Sequence, residues 1–459
     1  MASPPADVDL GKLSYEIFSL LESKFLFGGA AGVGSVPGTP ARADAGEDRG
    51  RVRVLAIDGC GPGPGDALLA AVALARLEAA LRERAGDPDA RVADFFDAAA
   101  GAGAGGVLAA MLFLRGEDGR ARYTAADALA FVAASLGRRQ GGWWGGDDAQ
   151  RSRWAALLFR RGERSPLRRV FGDATLRDTV APLLVPCYDL ATAAPFLFSR
   201  ADAVESDSFD FRLRDVCAAT CAGGAAAAAV RSVDGRTAIA AASGGVAAMG
   251  NPAAAAITHV LHNKQEFPLA VGVDDLLVVS IGSGSSAAAA VAASATPSAG
   301  WRTPIPPRSP SPAEMVRLTA EGVADMVDQA VAMAFGRNYV RIQAASPACS
   351  GKKALSSLDA RKAVAAADGM LTQRNVEAEL FRGRRLSEKS NREKLDAFAA
   401  ELVKEQERRA RSPGLPNVVI KQAAATPRPS SATTASSATV TARTTSTMPS
   451  PASQGSYGH

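Results

Sequence analysis

The sequence predicts an α/β fold in which helices flank a mainly parallel central sheet. Two β-like runs end in glycine-rich turns, "VRVLAID" at residues 52–58 and "LLVVSIGSG" at residues 276–284. A helical stretch, residues 67–84, follows the first of them. Strands that alternate with helices are typical of a layered fold with a parallel sheet. The chain has 459 residues, of which 47% are hydrophobic, so one large core with terminal segments is expected.

The segments before the first strand are predicted to be a helix and a linker. Residues 1–28 carry an apolar stripe at helical spacing that includes Leu13, Ile17 and Phe25. We interpret this stripe as a helix docked on the main domain, with a helix lying on a membrane surface as the alternative. Residues 29–51 are rich in Gly, Ala, Pro and charge, which is typical of a linker.

The chain after the linker is predicted to form a main domain, a loop, a helical extension and a tail. Within the main domain, further short strands are expected near residues 182–189 and 195–199. The extension has a charged helical pattern, and the Ser- and Thr-rich tail is predicted to be disordered because it cannot bury enough apolar surface. The predicted segments are 52–290, 291–312, 313–411 and 412–459.

Cysteine content and the lack of long apolar runs indicate where the protein is located. Five cysteines without a C-x-x-C pair indicate reduced thiols and an intracellular location. The first residues lack the pattern of a signal peptide, and no run of about 18 apolar residues predicts a transmembrane helix. We therefore expect a cytoplasmic or peripheral membrane protein. We predict no cofactor and no metal site, and the oligomeric state is left open.

The stretch "FFDAAAGAGAGGVLAAML", residues 95–112, reads as a strand, a glycine turn and a helix. We call residues 101–106 the elbow, because hydrolases mount a nucleophile on such a turn as G-x-S-x-G. Here the middle residue is Gly103, for which we predict a φ above zero. The alternative is a dinucleotide site, since Gly101, Gly103 and Gly106 match G-x-G-x-x-G. It is disfavoured because two helices follow, rather than a strand that brings an acid to the ribose.

Several segments, taken together and in order, resemble the patatin-like lipases. "VLAIDGCGPG" resembles their oxyanion loop D-G-G-G-x-R-G, and "ARVADFFDAAAGAGAGG" resembles the segment that carries G-x-S-x-G-G. "VCAATCAGGAAA" is similar to a segment that reads A-T-S-A-A-P, and "SGGVAAMGNPAAAAITHVLHNK" to the one that carries the catalytic Asp. "KLSYEIFSLLESKFLFG", "NYVRIQ" and "GMLTQRNVEAELF" resemble a plant branch that has G-x-G-x-G. The resemblance covers about residues 12 to 405 and implies a patatin-like fold.

The resemblance implies a Ser-Asp dyad in which serine attacks an ester and backbone N–H groups hold the oxyanion. The nucleophile position falls on Gly103 and the aspartate position on Ser243, or on Gly244 in the alternative register. Neither position can perform the family's chemistry. The loop's usual arginine has no counterpart, since Gly63 stands there. The oxyanion loop is assigned to Gly59, Cys60 and Gly61, and the elbow glycines to Gly101 and Gly105.

Other titratable residues are given structural roles. His259 and His262 share an Ala-rich helix and are interpreted as structural histidines. Asp58 and Asp97 are interpreted as loop and helix-cap groups rather than as replacement bases. The resemblance implies a non-specific lipid acyl hydrolase acting on phospholipids and galactolipids. The alternative is a catalytically inactive lipid-binding or regulatory protein on the same fold.

Arginine and tryptophan are interleaved between Arg138 and Arg169, a segment that we call the basic cluster. Its tryptophans include Trp143 and Trp144. Arginine attracts anionic headgroups and tryptophan favours the membrane interface, so we expect peripheral contact with membrane lipids. The alternative is a solvated basic face with tryptophan packed inward. Nucleic-acid binding is not expected, because no recognisable nucleic-acid module accompanies the arginines.

Overall fold

The computed structural model describes residues 50–59, 64–137, 165–222, 228–243, 250–282, 312–344, 360–379, 383–411 and 418–420. An eight-stranded sheet lies at the centre of these residues, with helices packed on both faces. The predicted α/β fold with a mainly parallel sheet is confirmed. Among the described helices, none is both long enough and apolar enough to cross a bilayer.

The sheet has its parallel strands in the middle and at one edge. Its strands are β1 (Val52–Ile57), β2 (Ala98–Gly101), β3 (Leu183–Asp189), β4 (Ala194–Ser199), β5 (Ala228–Arg231), β6 (Ala238–Ser243), β7 (Leu276–Ile281) and β8 (Tyr339–Ile342). Their order is β5-β6-β3-β2-β1-β7-β8, with β4 also paired to β3. β1, β2, β3, β7 and β8 run parallel, whereas β4, β5 and β6 make antiparallel pairs. All six residues of β1 are buried, as expected where helices cover both faces.

The two faces of the sheet belong to two apolar clusters. The helices are α1 (Pro64–Ala85), α2 (Gly103–Phe113), α3 (Ala125–Gly137), α4 (Pro166–Phe171), α5 (Arg200–Glu205), α6 (Leu213–Cys221), α7 (Ala253–His262), α8 (Pro312–Phe335), α9 (Ala360–Thr372) and α10 (Asn391–Arg411). Leu55 and Ile57 pack with α1, α2 and α6, and Val52 and Val54 pack with α7 and α8. This division follows from the alternation of side chains along a strand.

The predicted strands at 52–58, 182–189, 195–199 and 276–284 are confirmed as β1, β3, β4 and β7, and the predicted first helix as α1. The segment 313–411 differs from the helical prediction. It contains β8, which extends the central sheet, and a hairpin of β9 (Arg374–Glu379) and β10 (Gly383–Ser390). These strands are short or rich in charged residues, so they lack the apolar alternation that identifies a strand.

Parts of the predicted organisation lie outside the described residues. These are the N-terminal helix, the linker before residue 50, most of the loop 291–312 and the tail except for residues 418–420. In that short part of the tail, the Val419 N–H donates to the Glu266 carbonyl oxygen at 2.7 Å.

Candidate active site

The elbow joins β2 to α2 at the carboxyl end of the parallel strands. Gly101 ends β2, Ala102 is extended, and α2 begins at Gly103 with a φ of +52°. The strand-turn-helix prediction and the positive φ predicted for Gly103 are confirmed. An L-residue pays a steric penalty in this conformation, which glycine avoids because it has no Cβ.

Close backbone contacts hold the first turn of α2 against the end of β1. A Cβ on Gly105 would lie 2.5 Å from the carbonyl oxygens of both Ile57 and Asp58. A Cβ on Gly59 would lie 1.9 Å from the Ala102 carbonyl oxygen. Because such distances are shorter than any normal carbon contact, glycine at 59 and 105 is a condition for this packing.

A buried threonine hydroxyl fixes the backbone of Gly103. The Gly103 N–H donates to Thr220 Oγ1 at 2.9 Å, and that hydroxyl donates to the Pro186 carbonyl oxygen, also at 2.9 Å. The first N–H groups of a helix have no intrahelical partner, so Thr220 satisfies one of them. The next residue of β3, Cys187, pairs in register with Ser243 at the end of β6. The backbones of Gly103 and Ser243 are thus linked through one short series of contacts.

The predicted oxyanion loop is only partly described. Gly59 N–H donates to the Gly250 carbonyl oxygen at 3.3 Å, so this N–H is already engaged within the protein. Cys60 and Gly61 lie outside the described residues, and their role as oxyanion donors stays a prediction.

Asp58 makes a buried ion pair that the sequence analysis missed. Its carboxylate pairs with Arg341 of β8, and Arg341 Nη1 donates to Ser280 Oγ at 2.5 Å. Burial raises the pKa of Asp58 above the usual aspartate value, and the charge of Arg341 opposes this rise only in part. The only signal in the sequence was an arginine inside the short apolar run "YVRI".

Asp97 lies just before β2, at the end of the sheet opposite the elbow, where it forms ion pairs. Its carboxylate contacts Arg53 at 3.1 Å and Arg409 at 2.7 Å. Burial alone would raise the pKa of Asp97, but the two arginine charges outweigh burial and hold that pKa at about 2. Because Asp97 is this acidic and lies at the other end of the sheet from the elbow, it cannot serve as a base there. It is an ion-pair member rather than the predicted cap.

His259 and His262 lie in the last turn of α7 and border a cleft of about 750 Å³ between α5 and α7. His259 Nε2 is 3.7 Å from Glu266 Oε2, and its ring packs edge-on against Phe267. His262 is exposed. These contacts agree with a structural role for His259.

The elbow offers a helix N-terminus but no side-chain nucleophile. The α2 N-terminus carries a partial positive charge that favours developing negative charge near it. Gly103 supplies no oxygen or sulfur atom. Within the described ranges, no group of three or more His, Cys, Asp or Glu side chains is arranged to hold a metal ion.

Comparison with known proteins gives consistent similarities. The family model described as "Patatin-like phospholipase" matches residues 55–257. Patatin-like protein 3 of Oryza sativa subsp. indica is 54% identical over 406 residues, covering 87% of this chain and 92% of that protein. Patatin-like protein 8 of Arabidopsis thaliana is 42% identical over 469 residues, covering 90% and 86%. "Probable inactive patatin-like protein 9" of Arabidopsis thaliana is 38% identical over 403 residues, covering 86% and 94%.

Proposed function

The chain belongs to the patatin-like phospholipase family, and on this premise we propose that it is a lipid acyl hydrolase of membrane glycerolipids. The substrates are phospholipids and galactolipids. The observation that carries the proposal is the elbow, whose backbone conformation is suited to ester cleavage. It has a positive φ at Gly103, a helix N-terminus beside it and close glycine contacts with β1.

In this proposal, water takes the place of the absent serine. A water molecule attacks the ester carbonyl directly, so the products are a fatty acid and an alcohol, without an acyl-enzyme. Neither Gly103 nor Ser243 can accept the water proton, so this proton passes through solvent to the leaving alkoxide oxygen. In serine proteases that lack triad members, the oxyanion hole and substrate binding still accelerate the reaction roughly 10³- to 10⁴-fold over water. A rate of this order is what we expect here.

A second candidate is a catalytically inactive lipid-binding or regulatory protein on the same fold. The specific observation in its favour is that both dyad positions, Gly103 and Ser243, lack the required side chains. One relative also carries the word "inactive" in its name. This candidate predicts lipid binding without any release of fatty acid.

Membrane contact through the basic cluster is part of the same proposal. Arg168 and Arg169 belong to α4 and are exposed to solvent. The rest of the basic cluster before residue 165, including Trp143 and Trp144, lies outside the described residues. Arginine and tryptophan within one sequence segment suit reversible binding to anionic bilayers.

The test is fatty-acid release by the purified protein from vesicles of phosphatidylcholine and of monogalactosyldiacylglycerol. We expect release above the uncatalysed rate from both lipids. We also expect a much lower rate for Gly105→Ala, whose added Cβ displaces the elbow. Vesicle binding without release would support the inactive alternative and refute the hydrolase.

A further inference from the structure

One buried arginine links the edge strand β8 to Asp58, the residue that follows β1. Asp58 follows β1, and Arg341 belongs to β8, which is separated from β1 by β7. Their side chains are 2% and 8% exposed, and the Arg341 guanidinium pairs with the Asp58 carboxylate. The same guanidinium donates to Ser280 Oγ of β7. The carboxyl ends of three adjacent parallel strands are therefore linked through a single side chain.

The chain after β7 leaves space for this guanidinium. A Cβ on Gly282 would lie 3.2 Å from Arg341 Nη2 and 1.9 Å from Gln343 Oε1. Burying a charged pair costs desolvation, and an apolar replacement is often as stable. The stability of the fold alone therefore does not explain an arginine at this position.

Asp58 also touches the elbow through its backbone. Its N–H donates to the Ile281 carbonyl oxygen at 2.9 Å, and its carbonyl oxygen lies where a Cβ on Gly105 would clash. A shift of Asp58 would therefore disturb the first turn of α2. The second carboxylate oxygen, Oδ1, has no hydrogen-bond partner in the part of the chain that the structure describes.

We propose that Arg341 is a positioning residue for the elbow, which it holds in place through Asp58. Arg341 lies outside the region matched by the family model, residues 55–257, so the C-terminal segment contributes to the site. The kinetic consequence rests on the proposed hydrolase function. The structural consequence, an elbow held in place, does not depend on catalysis.

The test compares Arg341→Met with Arg53→Met. The control removes Arg53, an equally buried arginine at the opposite end of β1, whose side chain is 5% exposed and whose partner Asp97 keeps its ion pair with Arg409. Hydrogen exchange is followed by mass spectrometry in peptides that cover residues 58–66 and 100–106, and exchange in these two peptides is called loop exchange. We expect exchange roughly tenfold faster in these peptides for Arg341→Met, but not for Arg53→Met. Acyl release should lose roughly 10- to 100-fold in kcat, with KM little changed, because a small misplacement of reacting groups is costly.

A double variant separates positioning from stability. Asp58→Asn with Arg341→Met removes both charges, so thermal stability should recover while loop exchange stays fast and kcat stays low. Recovery of loop protection and kcat together with stability would overturn the proposal. So would equal loop exchange in Arg341→Met and Arg53→Met.

The role of Arg341 can still be tested if Arg341→Met does not fold or if the unmodified protein is inactive. If Arg341→Met does not fold, Arg341→Lys replaces it, because a lysine keeps the charge but lacks the planar fork that reaches Asp58 and Ser280 together. Faster loop exchange in Arg341→Lys supports the proposal, and unchanged exchange overturns it. If the unmodified protein releases no fatty acid, the hydrolase proposal fails, while loop exchange still tests the role of Arg341.

Discussion

Returning the two absent side chains to the elbow should create a serine hydrolase. The change is Gly103→Ser combined with Ser243→Asp, in the register that the resemblance favours. The backbone conformation at Gly103 and its bond to Thr220 are already present, so the new serine starts from an elbow-like position. General acid–base assistance contributes roughly 10²- to 10⁴-fold in enzymes, so we expect at least about 100-fold more esterase activity than in the unmodified protein.

The stability cost of this change follows from the φ of +52° at Gly103. A left-handed conformation costs an L-residue about 1–2 kcal/mol. Gly103→Ala and Gly103→Ser should therefore lower the free energy of unfolding by the same amount. Gly103→Ala is the matched control, since it introduces the strain without a nucleophile.

The assay combines thermal unfolding with hydrolysis of a chromogenic short-chain ester. Gly103→Ala should be as unstable as Gly103→Ser and no more active than the unmodified protein. A folded double variant without added activity would refute the expected gain, and it would mean that the oxyanion loop cannot hold an oxyanion or that the acid occupies the wrong position. Stability unchanged by Gly103→Ala would refute the inferred strain.

The elbow contacts, the Asp97 ion pairs and the basic cluster each lead to one more expectation. Gly105→Ala should lower stability by about 1–3 kcal/mol, measured by denaturant unfolding, because the new Cβ meets two carbonyl oxygens at 2.5 Å. The pKa of Asp97 is about 2, against an ordinary value of 3.8, so its ionised form contributes about 2 kcal/mol to the free energy of unfolding above pH 4. This contribution is lost as the pH falls toward 2. The free energy of unfolding of Asp97→Asn, measured at each pH, should not show this decrease. Co-sedimentation with anionic vesicles should weaken as salt rises and weaken further in Trp143→Ala/Trp144→Ala, whereas equal binding to neutral vesicles would contradict a role for charge.

The sequence alone predicted those features of the fold and the site that depend on local pattern. The apolar runs of β1 and β7 and the glycines at 101, 103 and 105 predicted the sheet and the elbow, because burial and tight turns leave a local signature. The partners of those residues were not predictable. Thr220 is 117 residues from Gly103, and Arg341 is 283 residues from Asp58.

The strand β8 was missed for a related reason. Its four residues include a buried arginine, which reads as a surface charge when the sequence is considered alone. Only the fold shows that this charge meets a carboxylate at the end of β1. Hydrophobic periodicity indicates which residues are buried, but it does not identify the distant group that neutralises a buried charge.

We propose that ester cleavage at this elbow proceeds without a side-chain nucleophile. It is tested most directly by treating the purified protein with a fluorophosphonate that inactivates serine hydrolases, then measuring fatty-acid release and the intact mass. We predict that release continues at the untreated rate and that no covalent adduct forms. Loss of release together with a stoichiometric adduct would contradict this proposal, because it would place a reactive nucleophile in a site where Gly103 provides none.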